Sequence, residues 1–324
     1  MYVLYGSTPS LFTRKLEAAL IFYRAPFEFI SKPSHPDPKG LEARVGTHQV
    51  PVLQTPEDWV IADTTPIIEM LDHRFPQRRL FPPGPLGVIA HLVEECLDEW
   101  VARVMVHYRW HYPDSAAFAS EVIADGDPVR AEFIRGWGPR ACRATGTETA
   151  FHQQAAEAEY IRLLAAAEAQ LGETRYLMGD RPTPADCMFL GGLRAHTLHD
   201  PDPRKVVEAY PRVVAWSTTA DAWDGGGDWA SFPQSTAFAR HVLGELASSY
   251  IPVLRGHRTA AAAGLKAFTV ETHGQPASYL TRAYPIQSWS QIQARLDRLE
   301  PRDREAVAGW LTDHGLAGDR GPEA

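Results

Sequence analysis

The sequence predicts an α/β domain, then an all-α domain, then a smaller α+β segment, and three observations carry that prediction. Short aromatic and β-branched runs alternate with helical periods as far as Pro76. From about Gly87 to Ala222 helical periods rich in alanine dominate. Beyond the glycines between Asp224 and Asp228, alternation returns around His273-Gly274-Gln275-Pro276. At 324 residues, 44% hydrophobic and 22% charged, the chain is long enough for two or three domains with cores of their own.

In order, Tyr2 to Tyr5 reads as a strand closed by Gly6-Ser7-Thr8-Pro9, and Leu11, Leu16, Ala19 and Leu20 as a helix reaching Tyr23. Pro26 to Ile30 is a second strand, and residues 31–46 a Pro-rich loop with a helical turn near Leu41 to Val45. Gln49 to Gln54 and Trp59 to Ala62 flank the turn signal Thr55-Pro56-Glu57-Asp58, giving a hairpin. Ile67, Ile68, Leu71 and Phe75 form the apolar face of a helix that Pro76 stops, so the order is βαβ and then ββα. The Pro/Gly-rich stretch from Leu80 to Pro85 sets a domain boundary, with the first domain at 1–82.

Long helices are expected over 87–112, 147–171 and 183–199 in a second domain at 83–227, the third opened by a capping box, Thr183-Pro184-Ala185-Asp186. In the remaining segment, 228–324, the reading gives helix over 233–263, a hairpin from Lys266 to Thr272 and Ala277 to Ala283, helices over 288–299 and 301–314, and a frayed tail from Asp319.

Several function classes recede on composition. No run approaches the roughly 18 to 20 apolar residues of a transmembrane helix, and the N-terminus lacks a basic, signal-like start, so a cytoplasmic protein without membrane contact is expected. Cys96, Cys142 and Cys187 are too few and too scattered for a disulfide scaffold or a zinc ribbon. The net charge of −8 arises in the middle of the chain, and no basic stripe exists to neutralise phosphates, which argues against nucleic acid.

Chemistry concentrates between His48 and Pro76. Pro51 cannot donate to a strand ladder, which places it at a strand start or edge, and an X-Pro bond there is a candidate cis peptide. Asp63-Thr64 opens a helix whose first N–H groups attract a carboxylate. A backbone corner beside a helix N-terminus suits a short peptide with a free carboxylate.

With these pieces the chain resembles the glutathione transferase superfamily over residues 1 to 222. The resemblance rests on the βαβ-ββα order, the Val50-Pro51 turn, the acid-hydroxyl pair Asp63-Thr64, the segment YLMGDRPTPADCMFL and the later AYPRVVAW. It implies a thioredoxin-like domain joined to an all-helical one, with the C-terminal extension outside the family outline. It further implies that Val50, before Pro51, pairs backbone to backbone with the cysteinyl unit of glutathione, while Asp63 and Thr64 hold its γ-glutamyl end. Ser10, in Ser10-Leu11-Phe12-Thr13-Arg14-Lys15, falls where serine-type members carry the residue that activates the thiol, with Ser7, Thr8 and Tyr5 as rivals; an N-cap role competes for the Ser10 hydroxyl.

No cysteine precedes Cys96, which removes the nucleophile of the members that form mixed disulfides. The acceptor is expected beside the first long helix of the second domain, with Arg103, His107, Tyr108 and His111 as candidates. Glutathione is implied as co-substrate, with no metal and no nucleotide, a small hydrophobic electrophile as acceptor, and a homodimer as assembly. Two other readings stay open: a non-catalytic glutathione- or protein-binding member similar to metaxins, and a glutathione-dependent isomerase or dehalogenase.

Overall fold

Strand β1 (Tyr2–Gly6) pairs in parallel with β2 (Phe27–Ser31) across α1 (Leu11–Tyr23), in a computed structural model that describes residues 1–316. The tail expected from Asp319 lies outside the described residues. After α2 (Pro38–Val45), β3 (Val52–Gln54) and β4 (Val60–Ala62) join antiparallel, giving a mixed sheet of order β2-β1-β3-β4. The period of two sorts the side chains. Leu4 and Leu53 face the main core with α1 and α3 (Thr64–Arg74), while Tyr5 and Val52 pack with Leu41 of α2 on the other face.

The strand expected from Gln49 begins only at Val52. The Val50–Pro51 peptide is cis, Pro51 has no N–H, and the buried Lys32 ammonium takes the carbonyls of His48 (2.6 Å) and Gln49 (2.9 Å). The start of α1 is seated by a close approach: a Cβ on Gly191 would lie 2.5 Å from the Leu11 carbonyl, so only glycine lets these helices meet there.

The helix expected over 87–112 is a rod of three parts: α4 (Pro85–Glu95), a π-helical turn at Cys96–Val101, and α5 (Ala102–His111). Three short helices follow that periodicity did not resolve, α6 (Pro113–Ala124), α7 (Pro128–Arg135) and α8 (Gly138–Ala144), each with a proline in its first turn. Then come α9 (Ala150–Gln170), α10 (Pro184–Gly192) with a π turn at Leu193–Thr197, α11 (Pro201–Val207) and α12 (Pro211–Trp216). At the capping box, buried Asp186 accepts from the Thr183 N–H, the Thr183 hydroxyl and the Leu177 N–H, each at 2.8 Å.

The extension supplies α13 (Ala237–Glu245), a π turn at Leu246–Tyr250, and α14 (Ile251–Ala262). A hairpin of β5 (Ala267–Thr272) and β6 (Gln275–Leu280) follows, then α15 (Tyr284–Asp297) and α16 (Pro301–Asp313). The hairpin turns on His273 and Gly274, both at positive φ, as a two-residue primed turn requires. Extension helices cover α4, whose residues from Leu86 to Glu95 are all buried. A helix buried all round is a core element. The extension is therefore part of the main hydrophobic cluster, to which Trp289 and Trp310 contribute as packing residues. No described helix is long and apolar enough to cross a membrane.

Candidate functional site

The Val50–Pro51 corner and the head of α3 line a cavity of about 110 Å³ together with Phe12. Val50 lies outside the β1–β3 ladder, which starts at Val52, so its backbone is not committed to the sheet. Asp63 sits at φ 73° and ψ 114°, a conformation that costs a non-glycine residue about 1–3 kcal/mol. Its carboxylate does not cap α3 and instead accepts from the Gln291 side-chain amide at 3.2 Å. Thr64 lies beside it, buried, at the end where the first N–H groups of an eleven-residue helix concentrate positive potential.

The opposite side is formed by Asp98 and Glu99 of the rod and by Arg282 and Tyr284 of the extension. Behind it, Lys15 of α1 is fully buried. Its ammonium donates to Asp98 (2.8 Å), to the Thr65 hydroxyl (3.0 Å) and to Glu94, and Thr65 donates to Glu94 at 2.8 Å. Burial pulls the pKa of this lysine down, but Asp98 and Glu94 outweigh it and hold the ammonium charged beyond the ordinary range. Burial pushes the Asp98 carboxyl up to about 7, against the pull of Lys15 and with added pressure from Glu94 and Asp63. Burial likewise raises Glu99, which Arg282 partly offsets through a 2.8 Å ion pair.

A second cavity, of about 130 Å³, adjoins the first through Phe12, Asp98, Glu99 and Arg282. Its surface is mainly apolar, with Leu11, Trp100, Val106, Val253 and Tyr279 contributing. Three of its polar groups are committed elsewhere. Arg103 pairs with Glu159 and lies 3.9 Å from the Trp100 ring centroid, the Tyr250 hydroxyl donates to Glu95 at 2.6 Å, and burial holds His257 neutral, its pKa pushed down to about 4.

Of the four acceptor candidates on α5, only Arg103 is among the described residues lining these cavities. Arg103 and His107 do share a face, but that face meets α9, where Glu159 takes Arg103 and Glu157 takes His107 at 2.7 Å. Tyr108 is buried edge-on to Tyr160, and His111 stacks on His107 at 4.9 Å. Arg103 borders the second cavity beside Ala102 and Val106 even while paired with Glu159.

The hydroxyl candidates are similarly distributed. Half-buried Ser10 caps α1 by accepting from the Thr13 N–H at 3.3 Å. Ser7 and Thr8 border a broad groove on the far side of Phe12. Tyr5 faces α2 and donates to Gln54 at 2.9 Å. The turn before Ser10 is braced by buried Arg109, which donates to the Pro9 carbonyl (2.7 Å) while forked on Asp200. The sequence reading did not single out Asp98, Glu99, Arg282, Tyr284 or Gln291 as site residues. Four acids in six positions of an otherwise apolar helix, Glu94, Glu95, Asp98 and Glu99, were the available signal for the first two. No local pattern marks the other three.

The mixed sheet with its cis-proline corner, joined to a helical domain carrying a buried capping aspartate, defines a thioredoxin-like protein of transferase architecture. The chain belongs to the glutathione S-transferase superfamily: residues 4–79 match the family model for the glutathione S-transferase N-terminal domain and residues 143–221 that for the C-terminal domain.

Solved structures similar to this chain include a glutathione S-transferase from Rhodospirillum rubrum F11, 19% identical, with TM-score 0.44 over 67% of this chain and 86% of that one. Another, from Methylobacterium radiotolerans JCM 2831 in complex with glutathione sulfonate, is 21% identical, with TM-score 0.44 over 72% and 99%. A beta-etherase from Sphingobium sp. strain SYK-6 is 18% identical, with TM-score 0.49 over 68% and 95%. No curated protein matches the chain.

Proposed function

We propose that the protein is a glutathione-dependent transferase that joins the glutathione sulfur to a small hydrophobic electrophile. The observation that carries this reading is Asp63, held at φ 73° at the head of α3, on one cavity surface with Thr64 and the Val50–Pro51 corner. Strain at such a position calls for a functional reason, and an ammonium beside a carboxylate, with a carboxylate beside a helix N-terminus, supplies one. The γ-glutamyl end then lies at Asp63 and Thr64 and the cysteinyl backbone at Val50. The sulfur lies toward Phe12 and the start of α1, where Ser10 is the serine-type candidate for orienting it. The second cavity, apolar and adjoining at Phe12, receives the acceptor. A homodimer is the assembly the family relationship suggests, and sedimentation of the purified protein tests it.

Calorimetric titration with glutathione, followed by turnover of a generic aryl halide, tests the reading in wild type, Asp63→Ala and Ser10→Ala. Loss of a charge-assisted contact at Asp63 is expected to weaken glutathione binding by about 10- to 100-fold. Ser10→Ala is expected to leave binding nearly intact and lower turnover. Tight binding without turnover on any electrophile would favour a binding module, and absence of binding would overturn the glutathione assignment.

A further inference from the structure

The charges lining the first cavity are lopsided. Asp63, Asp98 and Glu99 are acids, and Arg282 is the one base among the described residues that line it. Such surroundings oppose an ionised thiol, because nearby like charge favours the protonated form. Other cations close by are committed: Lys15 is fully buried on Asp98, Glu94 and Thr65, and Arg103 is paired with Glu159. The Arg282 side chain keeps 44% of its surface exposed and borders both cavities. One terminal nitrogen holds Glu99 at 2.8 Å, and a guanidinium has donors to spare beyond that bond.

Arg282 lies two residues before α15, which packs against α4 of the rod. Gln291 meets Asp63, Ser288 meets Glu95, and Arg282 meets Glu99. Arg282 borders the second cavity with Leu11 and Phe12 at the start of α1, and its main-chain N–H donates to His257 Nδ1 at 3.2 Å.

We propose that Arg282, contributed by the extension, is a catalytic residue that stabilises the sulfur anion of the bound peptide at the seam between the two cavities. The proposal rests on the glutathione reading above. The S–H bond breaks, the proton leaves to solvent, and the electron pair stays on sulfur facing the guanidinium. The groups facing Arg282 are Glu99 and Asp98 from the rod, Asp63 from the head of α3, neutral His257 from α14, and Tyr250 and Tyr284 from the extension.

The test follows the ultraviolet absorbance of the bound glutathione thiolate against pH in the full-length chain, beside calorimetry with S-methylglutathione. In Arg282→Gln the thiolate midpoint is expected to rise by about one pH unit, a tenfold loss of thiolate below it. S-methylglutathione affinity should stay within about threefold, since that ligand has no thiol to ionise. Arg282→Lys should recover at least half of the shift, and Glu99→Gln should move the midpoint down. An unchanged midpoint in Arg282→Gln overturns the proposal, and if S-methylglutathione affinity also falls about tenfold, the guanidinium binds a ligand carboxylate instead. A wild-type chain that binds neither glutathione nor S-methylglutathione overturns the underlying reading too, and the wild-type calorimetry alone identifies that case.

Discussion

The two sides of the first cavity are built on different principles. One is a backbone feature: the cis corner at Val50–Pro51 and the head of α3, held by residues close together in the chain. The other is made of side chains, Asp98 and Glu99 from the rod and Arg282 and Tyr284 from the extension, brought together by packing over α4. On the proposed reading, the surface with free backbone and a carboxylate would hold the peptide, and the side-chain surface could change without disturbing it.

That contrast is testable by weakening each side at its support, beginning with the largest effect. Lys15→Met removes the cation that joins Thr65 of α3 to the rod and strands Asp98 and Glu94 in the core, which should cost about 3–5 kcal/mol of stability in urea unfolding. If Asp98→Asn added to Lys15→Met returned none of that loss, the network would not be the support the geometry implies.

A smaller effect is expected from Gln291→Ala, which cuts a hydrogen bond joining the extension to Asp63. The KM for glutathione should rise by about three- to tenfold with kcat little changed, since a single neutral donor to a carboxylate is at stake. Equal loss in kcat and kcat/KM would mean that the extension acts on the reaction rather than on the carboxylate's orientation.

An effect absent at neutral pH concerns His257, which anchors Arg282. Its folded-state pKa, about 4, lies below the unfolded value of about 6.5, so between those values the unfolded chain binds the extra proton. Its contribution to stability is therefore complete above about pH 6.5 and is lost as pH falls toward 4. His257→Gln should flatten that part of the stability–pH curve, and an identical curve in the variant would show that His257 does not titrate as its burial implies.

Legibility in the sequence follows the same division. The cis corner, the Asp63–Thr64 helix start and the order of strands could be read because each is a local rule: proline at a strand's edge, a polar pair before an apolar period, alternation at a period of two. The capping box was legible for the same reason, although Leu177 as a third donor to Asp186 was not. The acceptor candidates on α5 were chosen by face-sharing, which held for Arg103 and His107, but spacing does not say which neighbour a face meets, and here it is α9. Tyr284 and Gln291 carry no pattern in their own segment. Their roles come from the Asp63 and Glu99 regions, far away in the chain.

The hydrogen bond between Asp63 and Gln291 spans 228 residues. During synthesis the backbone side of the cavity is complete long before the ribosome reaches the extension residues that face it, and α4 waits over the same interval without its outer cover. A chaperone or a protease meeting the nascent chain would see an exposed apolar helix until the extension emerges. Competence for ligand is thus a property of the finished polypeptide, and a chain cut short before Arg282 would carry every residue of the α3 side and lack Arg282 and Tyr284 opposite it.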